Sequence, residues 1–201
     1  MKPIQTDWQI QLPNQFQIDE MWEKLDITIV DQNFEFIDLL KTNIGGELYF
    51  KGFKISENEI FDWFCSRGRL TEIDFENKFL LSDKVLESFV TNKIDKPSII
   101  GNGPKLQLKN EFIIDGELAA LLFHGGAYGS KFKKSPKEIK NKAQDFCNQL
   151  FNENYCSDYV MFYTSNEAWN TWFNNFIIDL TFILICMKTR TIWIIAFTDM
   201  D

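Results

Sequence analysis

The sequence predicts an α+β fold: a mainly antiparallel sheet with a C-terminal buried hairpin, covered by several amphipathic helices. Two apolar runs near the carboxyl terminus, DLTFILICM (179–187) and TIWIIAFTD (191–199), are separated only by Lys188-Thr189-Arg190. Nearly continuous apolar runs of this length suit strands buried on both faces, and so short a connector makes them an antiparallel hairpin. Upstream, short β-rich runs alternate with segments whose apolar residues recur at helical spacing.

Trp8, Ile10 and Leu12 alternate with Gln9 and Gln11, the pattern of a half-buried strand. Ile27 to Val30 is a second β-like run. Asn33 is placed to cap a helix carrying Phe36, Ile37 and Leu40, which Gly45-Gly46 stops. Residues 47–53, ELYFKGF, read as a strand. Ser56 and Glu59 then form a capping box for a helix with Ile60, Trp63 and Phe64 on one face and Gly68 just past its end. A further helix runs from Ser82 or Asp83 to about Asn92, turning Val85, Leu86, Phe89 and Val90 inward.

KPSIIGNGPK (96–105) concentrates proline and glycine. The chain reads as a single globular domain over 1–201, with loop 95–105 as its one weak internal boundary. Beyond it, Asp115 can cap a helix with Leu118, Leu121 and Leu122 buried. Ser135-Pro136-Lys137-Glu138 combines a capping box with proline at the first helical position, and Ile139, Ala143, Phe146, Cys147 and Leu150 follow at helical spacing. Tyr159 to Tyr163 is β-rich, and Ser165 opens an aromatic helix with Trp169, Trp172, Phe173 and Phe176 on one face.

Twenty phenylalanines and six tryptophans imply a core built from large rings. The net charge of −8 argues against a general nucleic-acid binder, which needs a basic surface to displace counterions, and suits a partner of opposite charge. Cys65, Cys147, Cys156 and Cys186 form no Cys-x-x-Cys pair, and there is one histidine, so no zinc site is expected. The amino terminus lacks the apolar core of a secretory signal. The most apolar stretch, 176–187, is too short for a membrane helix and is interrupted by Asp179. Together these features place the chain in the cytoplasm, with reduced thiols and no membrane association.

The histidine, His124, lies in LLFHGGAYG (121–129). His-Gly-Gly occurs in oxyanion-hole loops, but no G-x-S-x-G nucleophile elbow accompanies it, and GGAYGSK lacks a Walker A ending. Oxyanion and phosphate loops place their amides at the start of a helix, whereas here the apolar run comes before the glycines. That order describes a helix stop, with Gly125 in a left-handed cap and His124 against the negative end of the helix dipole. The catalytic alternative makes His124 a general base assisted by Tyr128. The segment beyond, with Tyr128, Lys131, Lys133 and Lys134, is a candidate partner-binding loop.

A three-residue hairpin loop sets Met187 opposite Thr191 and therefore Asp179 opposite Asp199. Facing carboxylates call for a cation or a proton, so Asp179, Asp199 and Asp201 are candidate ligands for a divalent cation in a small metal-assisted hydrolase. The simpler reading ends the sheet there, with both aspartates in water.

With no recognisable catalytic constellation, the reading preferred is a non-catalytic cytosolic protein–protein interaction module. A bacterial immunity or inhibitor protein that binds and masks a toxin is the type expected, needing no cofactor. A hydrolase using Asp179 and Asp199, or a His124 enzyme, is the alternative.

Overall fold

The computed structural model describes residues 4–89, 96–152, 159–173 and 178–199. Its elements in chain order are α1 (Gln15–Lys24), β1 (Ile27–Val30), α2 (Glu35–Asn43), β2 (Glu47–Ile55), α3 (Glu59–Cys65), α4 (Phe75–Leu80) and α5 (Asp83–Ser88). They continue with β3 (Gln107–Lys109), α6 (Ile114–His124), α7 (Pro136–Phe151), β4 (Val160–Ser165), β5 (Ile178–Cys186) and β6 (Thr191–Asp199). The strands form one antiparallel sheet in the order β1-β2-β6-β5-β4-β3, so the C-terminal hairpin occupies its centre as expected.

Both faces of that hairpin are buried because helices cover both sides of the sheet. Alternate residues of β5 and β6 (Ile183, Ile185, Ile192, Ile194) pack under α1, α3, α4 and α5 through Met21, Phe61, Phe64, Phe75, Phe79 and Val85. The intervening residues (Phe182, Leu184, Trp193, Ile195, Phe197) pack under α2, α6 and α7 through Ile37, Leu40, Leu118, Leu122, Phe146 and Leu150. The period of two along a strand thus supplies two cores from one sheet.

Local chemistry explains most element boundaries. The Ser135–Glu138 capping box is present at α7, with proline at its first turn. At α3 the cap is Asn58, not Ser56. Its Oδ1 accepts from the Ile60 and Phe61 amides, which satisfies two of the donors that a helix start leaves free. Asn33 does not cap α2, where Phe34 holds the N-cap position without a side-chain bond. Asp115 lies within the first turn of α6, and the turn leading into that helix is capped by Asn110. Helix α5 ends at Ser88, with Phe89 as its cap, and Val90 to Asn92 lie outside the described residues.

Two predicted elements do not form. Segment 4–14 is irregular and leaves Trp8, Ile10 and Leu12 exposed, because it joins neither sheet edge. It is tied to α3 and the turn after it instead, by Trp63 Nε1–H donating to the Ile10 carbonyl and by the Arg67 guanidinium over the Trp8 ring. The aromatic helix after Ser165 is replaced by turns. The Ile100 amide donates to the Trp169 carbonyl and the Thr171 amide to the Ser98 carbonyl, while Asn170 Oδ1 accepts from the Trp172 amide. Bonds to segment 96–105 and a local Asx turn therefore take the place of helical bonds. Trp169, Trp172 and Phe173 are still core residues, and Phe176 lies outside the described residues.

The hairpin register is corrected by one residue. The connector is four residues long, Met187 to Arg190, so Cys186 faces Thr191 and Asp179 faces Thr198. Arg190 adopts a left-handed conformation, φ 55° and ψ 36°, which closes the turn. Its buried guanidinium is held by Asp62 of α3, with Nε 2.6 Å from Oδ1 and a second bond from Nη2 to Oδ2. That forked, charge-assisted pair fixes the extra residue in place.

Candidate functional site

Moving the register by one residue turns every side chain to the other face. Asp179 shares a face with Thr198, whose hydroxyl donates to Asp179 Oδ1 at 2.6 Å, whereas Asp199 points to the opposite side of the sheet. The predicted opposition of Asp179 and Asp199 is therefore absent, and with it the carboxylate pair on which a metal site was built. Neither aspartate points into water, since both are buried. Asp201 lies outside the described residues, and no group of three or more metal-ligating side chains occurs among the described ones.

Asp199 serves a different purpose. Its carboxylate, 2% exposed, lies between the Gly45-Gly46 turn after α2 and the Gly125-Gly126 turn after α6. The Ala127 amide donates to Oδ2. A β-carbon on Gly126 would stand 1.8 Å from that same oxygen, so only glycine permits the approach. Gly125 ends α6 as expected and donates its amide to the Leu121 carbonyl. With φ 68° and ψ −152° it occupies a region open essentially to glycine alone, rather than the left-handed helical cap predicted for it.

Five of the loop's amides are already paired. Gly125, Ala127, Gly129, Lys131 and Phe132 donate to Leu121, Asp199, Gly126, Asn43 and the Ser130 hydroxyl respectively. An oxyanion or phosphate arriving here would meet committed donors and a buried carboxylate of its own sign. His124 is exposed, its ring edge-on to Phe123 at 5.0 Å, and Tyr128 is 78% exposed. Among the described residues neither has a side-chain hydrogen bond that would orient it as a base. Lys131, Lys133 and Lys134 are exposed beside them; of the three, only Lys134 has an ion pair among the described residues, 3.8 Å from Glu138.

Glu76, 5% exposed, leaves Oε2 without a hydrogen bond, and burial raises its carboxyl pKa above the ordinary range. Burial also pushes the Cys65 thiol well up, which keeps it un-ionised and inert. Cys65, Cys147 and Cys186 are all buried, and none is in a disulfide among the described residues.

A surface feature not singled out in the sequence adjoins the glycine loop. Helix α6, IDGELAALLFH, buries Ile114, Leu118, Leu121 and Leu122 against the sheet, yet its outward side carries Gly116, Ala119, Ala120 and Phe123. Phe112 and Ile113, in the turn leading into it, are 69% and 40% exposed. Together with Pro136, Ile139 and Lys140 of α7, the outward residues of α6 line a solvent-open hollow of 280 Å³. The signal was present in ELAALLF, which has no polar side after Glu117. An amphipathic surface helix places charged residues there.

No described helix is long and apolar enough to cross a membrane. Compared with protein-family models, with curated proteins and with solved structures, the chain matches none.

Proposed function

We propose that the chain is a non-catalytic, cytoplasmic protein-binding module of the inhibitor or immunity type, which masks a toxin by docking on it. The observation that carries this reading is the outward face of α6. There, exposed Phe123 lines an apolar hollow that Lys140 also borders, and Phe112 and Ile113 are exposed in the turn that leads into the same helix. A contiguous apolar surface rimmed by polar residues is the usual mark of a protein interface. Buried Asp199 and the Asp62–Arg190 pair are occupied in holding the glycine loop and the hairpin turn, which agrees with a scaffold that presents a surface.

The test is co-expression with the products of the neighbouring genes, followed by size-exclusion chromatography. A stoichiometric complex, lost when Phe123 is replaced by glutamate, supports the reading. Absence of any complex, or one indifferent to Phe123→Glu, contradicts it.

A further inference from the structure

Taking the α6–α7 face as the docking surface, we infer that its occupant is a two-turn amphipathic helix of the partner, with an acidic flank toward α7. Three observations specify that occupant. The floor of the hollow is made of Gly116, Ala119 and Ala120, small residues at i, i+3 and i+4 of one helix. Such spacing lets a second backbone approach closely, and the lining from Gly116 to Phe123 extends for two turns of α6, about 10 Å at the helical rise.

The second observation concerns the backbone. The groove lies between two helices whose own amides and carbonyls are paired within each helix, so it offers no free ladder. A strand or irregular segment entering it would bury unpaired amides; a helix brings its own pairing. The apolar residues that meet the groove then fall at i, i+3, i+4 and i+7 of the ligand.

The third is charge. Lys140 lines the hollow, Lys137 lies one turn before it on α7 and Lys133 in the loop before that helix; all three are exposed and make no ion pair among the described residues, whereas Lys142 is 2.7 Å from Glu35. These unpaired cations stand on a chain of net charge −8 and call for carboxylates opposite them. Asp115 and Glu117 lie about 100° to either side of Gly116 on α6, so that helix carries a carboxylate on each flank and the lysines of α7 are the cations that a ligand carboxylate meets. The ligand's acidic flank is therefore the one turned to Lys137 and Lys140, which fixes its rotation in the groove.

Two lactam-bridged 14-residue helices serve as probes, both with leucine at i, i+3, i+4 and i+7. One carries glutamate and the other lysine on the flank that faces α7, and each is labelled for fluorescence anisotropy. The glutamate helix binds saturably, at least tenfold tighter than the lysine helix. The double variant Lys137→Glu, Lys140→Glu inverts that preference, and Ala120→Trp, which fills the hollow, removes binding of both while leaving the circular dichroism unchanged. Binding of neither helix, equal binding of both, or binding unaffected by Ala120→Trp overturns the inference. So does sedimentation of the unliganded chain as a dimer that Ala120→Trp dissociates, since a second copy is then the occupant. If the helices fail while the Phe123-dependent complex with a neighbouring gene product persists, the module reading stands and the helical ligand alone falls.

Discussion

Replacing Gly126 by alanine tests the clasp between Asp199 and the glycine loop. The new methyl carbon would lie 1.8 Å from Asp199 Oδ2, 2.6 Å from Cγ and 3.1 Å from Phe197 Cζ. Asp199 is at the end of a central strand and 2% exposed, so it cannot swing aside, and the loop must lift. Overpacking of this kind, with loss of the Ala127 bond to a charged acceptor, costs about 3 kcal/mol. Asp199→Ala removes the acceptor and leaves the space empty, at about 2 kcal/mol. The double variant places the methyl where the carboxylate was, so the two changes do not add: it should cost about 3 rather than 5 kcal/mol, a coupling of about 2 kcal/mol. Urea unfolding followed by tryptophan fluorescence measures all four corners of the cycle, provided the slope m stays constant. Additivity within about 0.5 kcal/mol would refute direct contact between the two residues.

Three further outcomes are expected. Glu76 has a raised folded-state pKa because it is buried, so its contribution to stability is present below the ordinary glutamate pKa and is lost as pH rises through the folded value. Glu76→Gln should therefore raise the thermal midpoint at pH 7 and lose that advantage near pH 4; an equal gain at both pH values contradicts the assignment. Asp62→Ala leaves the buried Arg190 without its forked carboxylate and should cost about 3 kcal/mol in urea unfolding, whereas Asp83→Ala, at an exposed pair with Lys96, should leave the midpoint unchanged. Proline distinguishes the two edges of β2: β1 ends at the Val30–Gly52 pair, and the Ile55 amide bonds to Arg190, so Leu48 and Phe50 direct their amides away from β6. Leu48→Pro should be tolerated far better than Tyr49→Pro, which removes a ladder bond to β6; equal damage in thermal unfolding would show that the outer edge is paired.

How much the residues disclosed depended on the range of the interactions involved. The α+β class and the central hairpin were legible because two long apolar runs joined by a short connector have few alternatives. The end of α6 at Gly125 was legible from the order of its apolar run and glycines. The hairpin register was not, because its extra residue is held by Arg190 pairing with Asp62, 128 positions away. The aromatic helix after Ser165 failed for a related reason: segment 96–105 supplies competing bonds to Trp169 and Thr171. Asp199 could be placed at a strand end, but its donor, Ala127, is 72 residues distant, and nothing local marks that meeting. The outward face of α6 was legible in principle. Periodicity identified the leucines that face the sheet, and the alanines and Phe123 on the other side passed as part of the same apolar run.

The central claim, that this chain works by presenting the α6–α7 face to a protein partner, is tested most directly by hydrogen–deuterium exchange with and without the partner recovered by co-expression. Residues 112–124 and 136–140 should gain protection in the complex, with the sheet strands unchanged. Protection confined to the α1–α3 side of the sheet, with residues 112–124 exchanging as in the free protein, would contradict it.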